Sequence, residues 1–267
     1  MNFSQKGVIA KQKALNAKSG KFGRKLIITF VIFIMFAIVG IGIMGLSAAF
    51  GMYNGILAST PIINSNMVAP VGAATFVYDS EGNKIDELVA TNSNRIPVTM
   101  DKIPKHLADA VVAIEDERFY EHNGVDFMGI VRAGFQFAIT GGEEQQGAST
   151  ITQQLLKNTI FTEWMEEDGN MIKSVKRKLQ EQYLAIELTK ILSKEEILER
   201  YMNTINLGQN TLGVEAAAQR YFGKSASELT ISESATIAVI TQNPTKYTPL
   251  VLRKKMPADV RTVWTKC

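Results

Sequence analysis

The stretch IPKHLADAVVAIEDERFYEHNG, residues 103–124, governs the reading of the whole chain. After Pro104, Leu107, Ala110, Val111 and Ile114 recur at i, i+3, i+4 and i+7, the spacing of one apolar helix face. That face runs straight into Glu115 and Asp116. A carboxylate at the edge of a core is partly desolvated, and a carboxylate so held is a candidate general base. Read alone, the motif is weak, and a solvated helix end with charged residues is the better description of it.

Downstream the helical period persists. A helix is expected over residues 127–140, stopping at Gly141-Gly142, another from near Ser149, and a long one over 172–192. The next opens at a capping box made by Ser193 and Glu196. One more covers 214–222 and stops at Gly223, and a last opens at a Thr230/Glu233 box and stops before Pro244. Upstream, TFVYDSEGNKIDEL (75–88) reads as a hairpin whose Glu81-Gly82-Asn83 turn takes positive φ from Gly and Asn. The class is therefore mostly α with a small β-hairpin.

From Leu26 to Met52 there is no charged residue. As a helix this run would reach about 40 Å, more than the ~30 Å hydrocarbon core of a bilayer. Lys6, Lys11, Lys13, Lys18, Lys21, Arg24 and Lys25 precede it with no Asp or Glu among them, which puts the N-terminus in the cytoplasm and the rest outside the cell membrane. The chain of 267 residues has a net charge of +3, so the remainder is slightly acidic; a basic tail on such a body suits a membrane, not a nucleic acid. The expected organisation is a basic cytoplasmic tail (1–25), a single transmembrane anchor (26–52), a linker (53–73), a folded domain (74–250) and an atypical C-terminus (251–267). The last reads as the truncated or frameshifted end of a longer protein. One cysteine, Cys267, and two histidines, His106 and His122, exclude a disulfide framework or a Cys/His-rich metal site within one chain.

Three further places break a plain helical pattern. In QGASTITQQLLKN (146–158), Ser149, Thr150, Gln154 and Asn158 are neutral hydrogen-bonding groups beside a single cation, Lys157. That mixture suits a surface for sugar hydroxyls and phosphate; a Ser149 N-cap on an ordinary polar face is the plain alternative. In KRKLQEQ (176–182), Arg177 and Lys178 lie four and three residues before Glu181 and share its helix face. Two cations there could neutralise a diphosphate leaving group, with Glu181 orienting them or binding a cation; a surface salt bridge is the alternative. KEEILERYMNTINLG (194–208) reads as a core helix that buttresses the site.

Taken in this order, the segments resemble the glycosyltransferase family of class A penicillin-binding proteins and monofunctional peptidoglycan glycosyltransferases. The motif Glu-Asp-x-x-Phe-x-x-His-x-Gly is matched by Glu115, Asp116, Phe119, His122 and Gly124. Gly147, Ser149, Thr150, Ile151, Thr152, Gln153 and Gln154 match a second, followed by Lys157-Asn158. Arg177, Lys178 and Glu181 match a third, and Lys194, Ile197, Leu198, Glu199, Tyr201 and Asn203 a fourth. Tyr221 to Lys224 and the stretch from Pro244 to Pro249 also agree, so the resemblance spans residues 75–250.

The resemblance implies a lysozyme-like glycosyltransferase domain with a membrane-embedded jaw around Phe127, Met128, Phe135 and Phe137; a plain core helix is the alternative for those residues. It implies polymerisation of lipid II, with Glu115 as the base on the acceptor hydroxyl and inversion to a β-1,4 link. Lys157, Arg177, Lys178 and Arg132 would take the charge of the departing undecaprenyl diphosphate. Glu181 would assist them or hold a divalent cation, Mg or Mn, with no other cofactor implied. Ser149, Thr150, Gln154 and Asn158, with Asp116, would line the cleft. The implied partners are lipid II, the growing lipid-linked glycan, the membrane and other cell-wall synthesis proteins, with no nucleic acid. No Ser-x-x-Lys or Lys-Thr-Gly occurs, so no transpeptidase domain is expected in this chain. Two rivals stand beside this reading: a glycan-cleaving enzyme, which has no diphosphate to hold, and an inactive membrane scaffold.

Overall fold

A computed structural model of the chain describes residues 4–15, 18–88, 94–141, 147–161 and 171–251. Gly142, Gln146 and the C-terminal stretch 252–267 therefore lie outside the described residues. The chain divides into two units, Met1–Ser59 and Thr60–Cys267.

The first unit is helical, with α1 (Gln5–Leu15) and α2 (Lys18–Ala58). Within α2, Phe22–Ala58 is long and apolar enough to cross a membrane, an 18-residue window of it reaching a mean hydropathy of 3.0. Phe30, Phe33, Phe36 and Leu46 are all exposed along it, as lipid-facing side chains would be. The helix runs past Met52 into residues read from the sequence as linker.

In the second unit, β1 (Thr75–Tyr78) and β2 (Lys84–Leu88) form an antiparallel hairpin in which Thr75 faces Leu88. Its turn takes positive φ from Gly82 alone; Asn83, expected to share that conformation, does not adopt it. The carboxylate of Asp79 closes the turn instead, accepting from Glu81 N and Asn83 N at 2.9 and 2.8 Å.

The remainder is helical, with α3 (Lys105–Glu115), α4 (Phe127–Thr140), α5 (Ile151–Thr159), α6 (Met171–Ile191), α7 (Lys194–Thr204), α8 (Val214–Phe222), α9 (Ile231–Ile240) and the single turn α10 (Pro244–Tyr247). At nine residues α5 is too short to persist alone in water; tertiary packing has to hold it. It packs between α6 and α7 and buries Ile151, Leu155 and Leu156 completely. Each such side chain contributes on the order of 1.5–3 kcal/mol of burial free energy. On its other flanks the core is closed by α3 against α9, with Leu107, Val111 and Ile237 fully buried.

The helix starts follow the capping chemistry. Ser193 and Thr230 cap α7 and α9 in reciprocal boxes with Glu196 and Glu233. For α5 the cap is Thr150, boxed with Gln153, and Ser149 stands one residue outside the helix. The reason is that Thr150 is also tied elsewhere: its hydroxyl donates to Gly124 O at 2.6 Å while accepting from Gln153 N.

α4 is not a core helix. Its only buried residue is Gly129, while Phe127, Met128, Val131, Phe135, Phe137 and Ile139 are all more than half exposed.

Candidate active site

The end of α3 separates two neighbouring carboxylates. Glu115 is the last helical residue; Asp116 turns to extended backbone with φ −162°. Their side chains consequently meet different surroundings.

Glu115 is half-buried and opens on a cleft of about 500 Å³. Its Oε2 accepts from Gln154 Nε2 at 2.6 Å, and its Oε1 accepts from Gln242 Nε2 at 3.0 Å and from the Thr241 hydroxyl. All three donors are neutral. An ionised carboxylate held this way is oriented without being matched to a protein cation.

Asp116 is buried. Its Oδ1 and Oδ2 lie 2.9 and 3.0 Å from His122 Nε2, and Oδ2 also accepts from Ile151 N at 3.0 Å, at the first turn of α5. It reaches the cleft wall, but both oxygens are engaged by the protein. Lys194 completes the brace, donating to Phe119 O and, at 2.6 Å, to His122 O. Burial lowers the proton affinity of this ammonium, and the nearby Asp116 carboxylate partly restores it.

Arg132, Ser149 and Thr150 line the same cleft as Glu115 and Asp116. Lys178 joins through Ser149, whose Oγ accepts from its ammonium at 2.9 Å. Behind it, Glu181 has a carboxylate only 5% exposed, with Lys178 Nζ at 3.3 Å and Arg177 Nε at 3.4 Å. A buried carboxylate with two cations on it is a holder of cations, since losing either would leave charge poorly compensated. This does not fit a divalent metal ion at Glu181. Among the described residues no three His, Cys, Asp or Glu side chains gather as a metal site.

Lys157 is exposed and Asn158 half-buried; both follow Gln154 by three and four residues on α5, on the face that carries Gln154 to Glu115. No described contact ties these two to the cleft. Thr150 is fully engaged as the α5 cap.

The sequence reading did not find Thr241 and Gln242 at Glu115, nor the Lys194 brace. The first two follow α9 in an unremarkable Thr-Gln-Asn, 126 and 127 residues from Glu115, and no local pattern marks them.

Asp126 holds the start of α4 beside the cleft. Its carboxylate accepts from Gly129 N at 2.8 Å and from Arg118 Nη2. Burial opposes ionisation, but the Arg118 bond and the Gly129 amide outweigh it, and the carboxyl is held below its ordinary value. A depressed folded-state value contributes stability above the unfolded-state value near 3.9 and loses it as pH falls through the folded value. Asn caps a helix as well as Asp does. Asp126→Asn should therefore lower the melting temperature at pH 6 slightly, and the gap from wild type should close below about pH 4. Melting curves of both proteins from pH 3 to 7 check this.

The transglycosylase family matches residues 81–267. Penicillin-binding protein 1A of Clostridium botulinum (strain Hall) is 43% identical over 202 residues, 74% of this chain and 23% of the relative. The protein of the same name from Clostridium perfringens (strain 13) is 40% identical over 221 residues, 80% of this chain and 31% of the relative. That of Escherichia coli (strain K12) is 40% identical over 210 residues, 78% and 23%. The aligned part of the chain thus spans between about a quarter and a third of the length of these relatives.

Proposed function

From the premise that the chain belongs to the transglycosylase family, we propose that it is a membrane-anchored peptidoglycan glycosyltransferase that polymerises lipid II. The observation that carries this reading is Glu115, a half-buried carboxylate held by neutral donors in the cleft that also holds Arg132 and the Lys178-bound Ser149.

In this reading Glu115 takes the proton of the acceptor's GlcNAc 4-hydroxyl. The oxygen attacks the anomeric carbon of the MurNAc on the lipid-linked chain, the bond to the diphosphate breaks, and a β-1,4 link forms with inversion. Undecaprenyl diphosphate leaves as an anion. Arg132, Lys178, Arg177 and Lys157 stabilise that charge, and Glu181 keeps Arg177 and Lys178 in place. Ser149, Gln154 and Asn158 meet sugar and phosphate oxygens. Asp116 and Thr150 act one step back, fixing α5 against the end of α3.

The exposed apolar side of α4 supports contact with the lipid surface. A patch of six large apolar side chains is unusual on a water-facing helix, and fourteen residues are too few to span a bilayer. The α2 helix is read as a single-pass anchor with its basic end in the cytoplasm. It confines the domain to the surface that holds its lipid substrate and so raises effective concentration.

Gel analysis of labelled lipid II incubated with the detergent-solubilised chain tests the proposal. Strands that lengthen with release of the lipid diphosphate support it. A protein that instead shortens added glycan is a hydrolase, and the transferase reading then fails.

A further inference from the structure

Tyr201 lies on α7, away from the cleft wall, and is 1% exposed. Its hydroxyl is nevertheless 3.1 Å from Gln154 Oε1, and Gln154 Nε2 is 2.6 Å from Glu115 Oε2. We propose that Tyr201 is a positioning residue for transfer, fixing the Gln154 amide so that its N–H, and not its carbonyl, faces Glu115. The inference rests on Glu115 being the base.

The direction of the chain of bonds is set by chemistry. An ionised carboxylate only accepts, so the Gln154 atom facing Glu115 must be the nitrogen. The amide oxygen then faces Tyr201, and the phenol must donate. A buried tyrosine holds its proton: burial raises its proton affinity well above the ordinary range, and the Glu115 and Asp116 charges push the same way. Tyr201 is thus a permanent donor, and a donor on the amide oxygen strengthens the amide N–H as a donor in turn. Without the phenol, the amide oxygen loses its donor, and the N–H that faces Glu115 is held less firmly and polarised less.

Among the described residues, the charged and titratable groups about Glu115 are Asp116, with His122 and Lys194 behind it, Tyr201, Glu117, Arg118, Asp126 and Arg132 along the cleft, and Lys178 on Ser149. Tyr201→Phe alters none of them except the phenol itself.

The test is the pH dependence of kcat/KM for lipid II polymerisation, whose acid limb reports the essential base of the free enzyme. A carboxylate that loses a donor binds its proton more tightly. Tyr201→Phe leaves the Gln154 N–H in place but weakened, so it should move the acid limb upward by roughly a few tenths of a pH unit, a fraction of the about one unit that a whole hydrogen bond to a charged group is worth. Gln154→Met should move it at least as far, and Tyr201→Phe added to Gln154→Met should move it no further. An acid limb unmoved by Tyr201→Phe overturns the proposal. So does a double variant shifted beyond Gln154→Met, which would mean that Tyr201 acts by another route. If melting shows that Tyr201→Phe does not fold, 3-fluorotyrosine at position 201 keeps the shape and donates more strongly. The limb should then move downward, and an unmoved limb overturns the proposal. Glu115→Gln run in parallel separates the two readings. An inactive Glu115→Gln beside an unshifted Tyr201→Phe removes only the relay; a Glu115→Gln with the wild-type profile removes the base and the relay with it.

Discussion

Gly124→Ala should cost about 3–5 kcal/mol and leave little folded protein at physiological temperature. Gly124 adopts φ +87°, and a Cβ there would stand 2.3 Å from Ala185 O and 2.5 Å from Ala185 C. Both are backbone atoms in the middle of α6, so no side chain can swing away. Moving the loop instead would pull on Gly124 O, which accepts the Thr150 hydroxyl, and so on the start of α5. Gly82→Ala is the matched control. Its φ is +86°, yet nothing lies within 4 Å of the added carbon. It should cost only about 1 kcal/mol, the backbone penalty alone. Melting temperatures of the two variants measure the steric part by difference. Equal losses would mean that the close approach of this loop to α6 is not what demands glycine.

Most of the scaffold was legible in the sequence because its signals are local. The boxes at Ser193/Glu196 and Thr230/Glu233 and the stop at Gly223 fix helix ends within a few residues of chain. The start of α5 was displaced by one residue because Thr150 competes better than Ser149: only Thr150 also satisfies Gly124 O, a partner 26 residues away.

The site was legible by composition but not by role. Glu115 and Asp116 look equivalent as neighbours in the chain. One is the last residue of a helix and the next is extended, so one carboxylate faces the cleft and the other braces His122 and α5. Which is which depends on where the helix stops, a boundary that sequence patterns locate only to within a residue or two. The Phe127–Thr140 helix was ambiguous for a different reason. A stretch apolar on most sides fits either a core or an exposed apolar surface, and only its exposure rules out the core.

Glu115→Gln should reduce the rate of strand growth by about 10²–10⁴-fold, the range of a lost general base. The substitution keeps the shape of the side chain and an oxygen that can accept from Gln242 or Thr241. It removes the charge and the ability to take a proton. Its effect on folding should be modest, because no ion pair among the described residues depends on Glu115. The melting temperature should therefore fall by only a few degrees while lipid II still binds.

The most direct measurement is polymerisation of labelled lipid II by the purified, detergent-solubilised chain beside folded Glu115→Gln, read as glycan length on a gel. Long strands from the wild type and none from the variant over the same time are the predicted result. Strands of wild-type length from Glu115→Gln would contradict the account.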